Sequence, residues 1–243
     1  MNKSNSPIIL YQMGKVGSST IKNSLKHLGV PTLHIHRYYF DSFETNEGLL
    51  ALLRKIKMRF LYNYYIKNKN AKVITLFRDP LSRNISSFFQ NLNFYFKRNQ
   101  LINLDFNMLR DKFNKLERIH KTPNDWFFSE FLKKTGIDIL KHQFDKNKGY
   151  IVIKHKKVEY FICTLESLNS LECVIADFIR NKDFRLINEN EGHAKWYSNL
   201  YNEFKIRYSP SKEMIEALYH CKTTNYFYDK DSINNFKAKW NKN

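Results

Sequence analysis

The chain has 243 residues, 42% of them hydrophobic, with 20 Phe and 15 Tyr. That is ample material for a packed core and excludes a disordered chain; the length suits one large domain, and residues 1–243 read as a single one. A formal net charge of +18 says nothing about fold but favours an anionic partner: nucleic acid, a membrane surface, a phosphorylated cofactor or an acidic polymer.

In chain order, "PIILYQ" (Pro7 to Gln12) is a short apolar run that stops just before Gly14, as a buried strand would. A helix follows, capped by Ser18 or Ser19, carrying Ile21, Leu25 and Leu28 at helical spacing and closed by Gly29. "PTLHIH" (Pro31 to His36) is a second strand, so the start of the chain predicts a right-handed βαβ unit with parallel strands. From Glu47 to about Lys67, Leu49, Leu52, Leu53, Ile56 and Phe60 recur at helical spacing, with Arg54, Lys55, Lys57 and Arg59 among them. This reads first as a core helix with a solvated basic face, and second as a basic amphipathic helix for a membrane or an acidic polymer.

"AKVITLF" (Ala71 to Phe77) is the clearest strand, ending at Arg78-Asp79-Pro80. A long helix is predicted after it, with Leu81, Ile85, Phe88, Phe89, Leu92 and Phe96 on one face. The middle, from Asn103 to Phe144, is mostly helical in pattern, and "YIVIKH" and "VEYFICTL" flank Lys156-Lys157 as two paired strands. Three helices close the chain: Ser167 to Arg180, about Ala194 to Arg207, and one opened by Ser209-Pro210. The sum is an α/β protein with a small, mainly parallel sheet flanked by helices.

Cys163, Cys173 and Cys221 are widely spaced and form no CxxC, so neither a disulfide framework nor a zinc site is implied. The apolar run near the start is too short for a signal peptide, and no later run reaches transmembrane length. The expectation is a soluble, cytoplasmic protein, with the inner face of the membrane as the alternative location.

Two clusters carry the chemistry. In "YQMGKVGSST" (Tyr11 to Thr20) a strand feeds a glycine turn and then a helix N-terminus. Backbone N–H groups without intrahelical partners, together with the helix dipole, make such a turn an anion site. Lys15 adds a full charge, and Ser18, Ser19 and Thr20 add donors. The competing reading is an ordinary turn with a capping serine. It is not a Walker A loop, because Lys15 precedes Gly17 and the hydroxyl run follows it. Asp79 does follow a strand, but Arg78 beside it is a poor neighbour for a metal, so a magnesium nucleotide hydrolase is disfavoured. In "RDPLSRNIS" Arg78 leaves a strand end, Ser82 and Arg83 follow, and Ser86 lies eight residues on, about two turns into a helix. A guanidinium fork with a helix hydroxyl is a second anion site. Two such sites on neighbouring strands point to one ligand with two separated phosphates.

These residues resemble the sulfotransferases that use 3′-phosphoadenosine 5′-phosphosulfate (PAPS). "GKVGSST" is similar to that superfamily's 5′-phosphosulfate loop, and "RDPLSRNIS" to its Arg and Ser pair for the 3′-phosphate, in the same order. "AKWYSNLY" (Ala194 to Tyr201) resembles the Asn-Lys-Trp-Tyr-Ser signature of a bacterial capsular polysaccharide synthesis family, with Ala194 in place of the asparagine. "DWFFSEF" and "FICTLESL" are weaker matches. The resemblance implies a P-loop-like sulfotransferase fold and transfer of a sulfuryl group from PAPS to a glycan hydroxyl, leaving adenosine 3′,5′-bisphosphate.

Under that resemblance Gly17, Ser18, Ser19 and Thr20 hold the 5′-phosphate, Arg78 and Ser86 the 3′-phosphate, and Lys15 stabilises the bridging oxygen, so that no metal is required. Lys195 and Trp196 contact the nucleotide or order a loop over it, unless Trp196, Leu200 and Phe204 are simply a core face. A histidine titrating near pH 7 is a suitable base. His36 is the first choice and His34 the second, with Asp41, Glu44, Glu47 and Glu166 in reserve. The acceptor would be a capsular or surface glycan, and contact with an anionic membrane or with capsule-assembly machinery is also expected. Two other classes stay open: a non-catalytic nucleic-acid or polyanion binder, and an atypical nucleotide kinase.

Overall fold

The computed structural model describes residues 7–38, 49–68, 70–187 and 195–240. Its centre is a five-stranded sheet built from β1 (Ile8–Tyr11), β2 (Thr32–Ile35), β3 (Lys72–Phe77), β4 (Tyr150–His155) and β5 (Val158–Thr164), in the order β2-β1-β3-β5-β4. The first four of that order run parallel, and β4 pairs antiparallel with β5 at the edge. The predicted α/β class, the mainly parallel sheet and the Lys156-Lys157 hairpin are all present, with Lys156 at φ 54° in the turn. β1 is buried at every residue and β3 at all but Lys72, as expected of parallel strands covered on both faces.

The chain divides into two compact units, Met1–Phe77 with Phe128–Glu189, and Arg78–Phe127 with Asn190–Asn243. The first holds the sheet together with α1 (Ser18–His27), α2 (Leu49–Asn68) and the helix Glu172–Ile179. Ser24 joins distant parts of it: its hydroxyl donates to the Thr20 carbonyl at 2.9 Å and accepts from the Ile187 N–H at 2.8 Å. A single turn of π-helix, Phe127–Leu132, brings the buried Glu130 beside β1, where its carboxylate accepts from the Tyr11 hydroxyl (3.3 Å) and the Tyr38 N–H (2.8 Å).

The second unit is helical and opens with α3 (Pro80–Gln90), which packs against Glu117–Trp126. Its core is aromatic. Phe113 lies 5.3 Å from Phe88, Phe89 lies 5.3 Å from Phe204, and Phe204 stacks on Tyr208 at 4.7 Å. The long helix predicted through Phe96 breaks at Asn91 (φ −113°, ψ 21°). There the side-chain amide turns back to the Ser87 carbonyl at 2.7 Å, competing with the helical ladder. Leu92 and Phe96 remain buried in a short turn beyond the break. The helix predicted to open at Ser209-Pro210 starts at Lys212 instead, because the Ser211 hydroxyl caps it by accepting from the Met214 N–H.

Candidate functional site

Chain order sends β1 to β2 on one side, and β2 back across to β3 on the other side of β1. The carboxyl ends of β1 and β3 therefore flank a topological switch point, the position where open parallel sheets take their ligands. The two strands also part there. Backbone pairing of β1 with β3 runs only to Leu10↔Ile74. Beyond it, side chains replace the ladder: the Thr75 hydroxyl donates to the Tyr11 carbonyl (2.7 Å), and the Gln12 Oε1 accepts from the Leu76 N–H (3.1 Å). β1 meanwhile stays paired with β2 through Tyr11↔Ile35, and the Gln12 N–H reaches the Ile35 carbonyl at 3.1 Å.

Gln12 is wholly buried, and its Nε2 has no hydrogen-bond partner among the described residues. A buried amide donor left unpaired is costly, and natural proteins rarely keep one without use. Sequence reading passed over Gln12. Its signal was an amide closing an otherwise apolar strand, directly ahead of the glycine loop.

The loop that follows turns through two left-handed residues, Lys15 (φ 70°) and Gly17 (φ 90°). Such a conformation suits glycine but strains lysine, and strain in a loop of this kind is a pointer to function. At Gly17 a Cβ would also come within 2.3 Å of Leu165 Cδ1. A Cβ at Gly14 would meet no atom within 4 Å among the described residues, so packing does not demand that glycine. Open space above a backbone without side chain is what a close-approaching ligand needs.

Gly17 is the N-cap of α1, which corrects the expected Ser18 or Ser19 cap: both serines already lie inside the helix. The cap position therefore has no side chain to accept from the first-turn N–H groups, and no acidic residue sits in that turn. No acidic side chain of the first turn therefore offsets the positive end of the dipole, while Lys26 and His27 complement the opposite end. Ser19 is exposed, Thr20 and Lys15 are half-buried, and Ser18 is nearly buried at 9% exposure. Ser19 and Thr20 are thus better placed than Ser18 to meet a ligand.

His36 follows β2 at the same sheet end and is exposed. Its Nδ1 lies 3.1 Å from the Gln12 carbonyl oxygen. A carbonyl only accepts, so this nitrogen carries a proton, and when the ring is neutral its lone pair is on Nε2. His34 stands edge-on to His36 at 4.3 Å, with its Nε2 buried and unpartnered among the described residues. Burial, then the charges of His36 and Lys22, lower its pKa from 6.5 to about 3. A nitrogen so weakly basic is poorly suited to accept a proton at neutral pH. Asp41, Glu44, Glu47 and Ala194 lie outside the described residues, and Glu166 is exposed.

The second cluster belongs to the helical unit. Arg78, directly after β3 in the chain, is half-buried, and so is Ser86 on α3. Asp79 is the N-cap of α3: its carboxylate accepts from the Leu81 and Ser82 N–H groups, the Ser82 hydroxyl and the Tyr219 hydroxyl (2.6 Å). That occupation gives Asp79 a structural task. Ser82 is drawn into the same cluster, where its oxygen accepts from Lys239 Nζ at 3.2 Å. Arg83 is buried and donates to the fully buried Asn84 Oδ1 at 3.0 Å, whereas Asn84 Nδ2 is unpartnered among the described residues. Trp196 is 57% exposed, so the core reading fails for it; Tyr197, next along, packs on Phe89 (5.9 Å) instead, as do Tyr201 and Phe204. Lys195 is half-buried, with its Nζ 5.9 Å from the Tyr197 ring.

The fold and this loop together define an α/β protein with a glycine-containing strand–loop–helix at the switch point of a mainly parallel sheet. No protein-family model, no curated protein and no solved structure matches the chain. A functional reading therefore stands on its own residues.

Proposed function

We propose that the protein is a sulfotransferase that moves a sulfuryl group from PAPS to a hydroxyl of a glycan, a capsular or surface polysaccharide or its precursor. The observation that carries this reading is the parting of β1 and β3 beside an uncapped helix N-terminus, with Lys15 held left-handed in the turn between strand and helix. Such a turn suits an anionic group, and the residue pattern of the two clusters suits a donor with phosphates at both ends.

In this reaction the acceptor oxygen attacks sulfur in line. A new O–S bond forms, and the S–O bond to the 5′-phosphate breaks. The acceptor proton passes to His36 Nε2, and adenosine 3′,5′-bisphosphate departs. Lys15 meets the charge that grows on the bridging oxygen, while the α1 N–H groups, Ser19 and Thr20 hold the 5′-phosphate. Arg78 and Ser86 hold the 3′-phosphate and so select this donor over ATP. Lys195 and Trp196 supply a cation and an exposed ring to the nucleotide. His36 takes the base's role over His34 because its exposed ring carries the lone pair on Nε2. The protein's charge of +18 suits an acidic glycan.

Calorimetry with adenosine 3′,5′-bisphosphate tests the reading. Wild-type protein should bind it without added magnesium, and Arg78→Ala should lose that binding. Indifference to this nucleotide combined with tight binding of magnesium ATP would overturn the reading in favour of a kinase. Salt-sensitive oligonucleotide binding alone would favour a non-catalytic polyanion binder.

A further inference from the structure

α2 faces the wrong way for an ordinary surface helix. Its inward side carries Tyr62, buried and edge-on to Tyr11 at 5.4 Å, while half-buried Asn63, at the margin of the outward arc between Leu52 and Ile56, donates to the Tyr38 hydroxyl at 2.7 Å and accepts from Lys134 Nζ at 2.7 Å. Arg59 leans over the Tyr38 ring at 5.7 Å. The outward side carries Leu52 (39% exposed), Leu53 (51%), Ile56 (49%), Phe60 (70%) and Tyr64 (45%). At 100° per residue these five fall within about 120° of the helix circumference, and they extend about 18 Å along its axis. The expected core face is thus overturned for Leu52, Leu53, Ile56 and Phe60, which are exposed, whereas Lys57 is solvated as expected and Lys55 and Arg59 are half-buried. Rotating the stripe inward would turn Tyr62 out to solvent and break its contact with Tyr11, so the exposure is fixed by the packing of the unit itself.

An apolar stripe of this length on one helix marks a docking surface. The charge around it identifies what docks. α2 contains no acidic residue, and exposed Lys57 and Lys67 border the stripe. A second copy of the chain would bring its own +18 to the contact, so self-association is opposed by charge. Aliphatic side chains, an aromatic pair and flanking lysines on one face together match the boundary of an anionic bilayer, where acyl chains lie beneath negative headgroups. No helix among the described residues is long and apolar enough to cross a membrane. We infer that α2 is an interfacial helix that lies in the headgroup plane of an anionic membrane, with Leu52, Leu53, Ile56, Phe60 and Tyr64 inserted and Lys57 and Lys67 on the phosphates. This is independent of the transfer reaction and of the donor site.

The test is flotation of the full chain with vesicles of phosphatidylcholine alone and of phosphatidylcholine mixed with phosphatidylglycerol, with hydrogen exchange read on the bound fraction. The full chain should float with the mixed vesicles only, and new protection should be confined to α2. The double variant L53S/F60S should weaken binding on the order of tenfold or more, and K57E/K67E should weaken it and flatten its salt dependence. All four side chains are exposed, so melting temperature should hold in both variants; if the serine variant fails to fold, the glutamate variant decides alone. Three results would overturn the inference: no flotation of wild type, flotation of both variants equal to wild type, or wild-type dimers that L53S/F60S dissociates.

Discussion

The Nδ1 of His36 lies 3.1 Å from the carbonyl oxygen of Gln12, so the exposed histidine after β2 is tied to the residue just before the glycine loop. One hydrogen bond fixes the ring's tautomer and places a candidate base and a candidate anion loop at the same end of the sheet. Under the proposed reaction, His36→Ala should abolish turnover while donor-product affinity, read by calorimetry, stays close to wild type. Equal turnover in the variant would remove His36 from the mechanism.

Lys15 is held at φ 70°. A left-handed conformation costs a residue with a Cβ about 1 kcal/mol or more, so Lys15→Gly should relieve strain and leave the fold as stable or up to ~1 kcal/mol more stable. The same change removes the charge proposed to face the bridging oxygen, so nucleotide affinity and turnover should fall. Thermal melting and calorimetry on one preparation check this opposition of stability and function; a variant that loses both would show that the lysine serves the fold.

Gly17 is constrained by both its φ of 90° and the approach of Leu165. Gly17→Ala should destabilise by about 1–3 kcal/mol, most of it from the backbone conformation. Because the clashing atom is the end of a leucine side chain, adding Leu165→Ala should recover only a part. A double-mutant cycle from urea midpoints separates the two contributions.

Gln12 offers a cleaner probe of the parted strands. Gln12→Glu keeps an oxygen for the Leu76 N–H but removes the buried donor and adds a negative charge. Gln12→Met leaves that N–H unpaired and should cost about 1–3 kcal/mol. If the orphan Nε2 serves an anion, Gln12→Glu should lower affinity for adenosine 3′,5′-bisphosphate by about tenfold or more, the order expected for one lost charge-assisted hydrogen bond. Unaltered affinity in that variant would make Gln12 a purely structural residue.

His34 sets an acid limit. Burial holds its folded pKa near 3, below the 6.5 of an exposed histidine. Above pH 6.5 the ring is neutral in both states and contributes no slope. Between about pH 6.5 and 3 the unfolded chain binds the proton and the folded chain does not, so stability falls as pH drops. His120, lowered chiefly by burial against the opposing Phe113 carbonyl bond, acts in the same direction. Urea midpoints measured across this window should fall less steeply in His34→Gln than in wild type; parallel slopes would show that His34 titrates normally.

Strands and helices were legible where local chemistry was unopposed. The β-branched run at Ala71 to Phe77, the paired runs around Lys156-Lys157 and the glycine loop after "PIILYQ" each announced its element from side-chain shape and backbone freedom alone. Readings failed where a side chain found a competing partner. Asn91 turned back on Ser87 and ended α3 early, Gly17 displaced two serines from the cap of α1, and Ser211 displaced Ser209. The periodicity of α2 gave the right helix but the wrong face, because spacing records that apolar residues share a side and not which side is buried.

By itself, then, the order of residues determined the parallel sheet, the strand–loop–helix at its first turn and the excess of positive charge, since these follow from pattern, glycine placement and composition. Tertiary structure alone decided that β1 and β3 part beyond Ile74, that Gln12 keeps a buried donor with no partner among the described residues, that His34 is driven neutral while His36 stays at the surface, and that α2 turns Leu52 and Leu53 outward. Each of those depends on contacts between residues distant in the chain, where burial and hydrogen-bond competition are set by neighbours that no local pattern names.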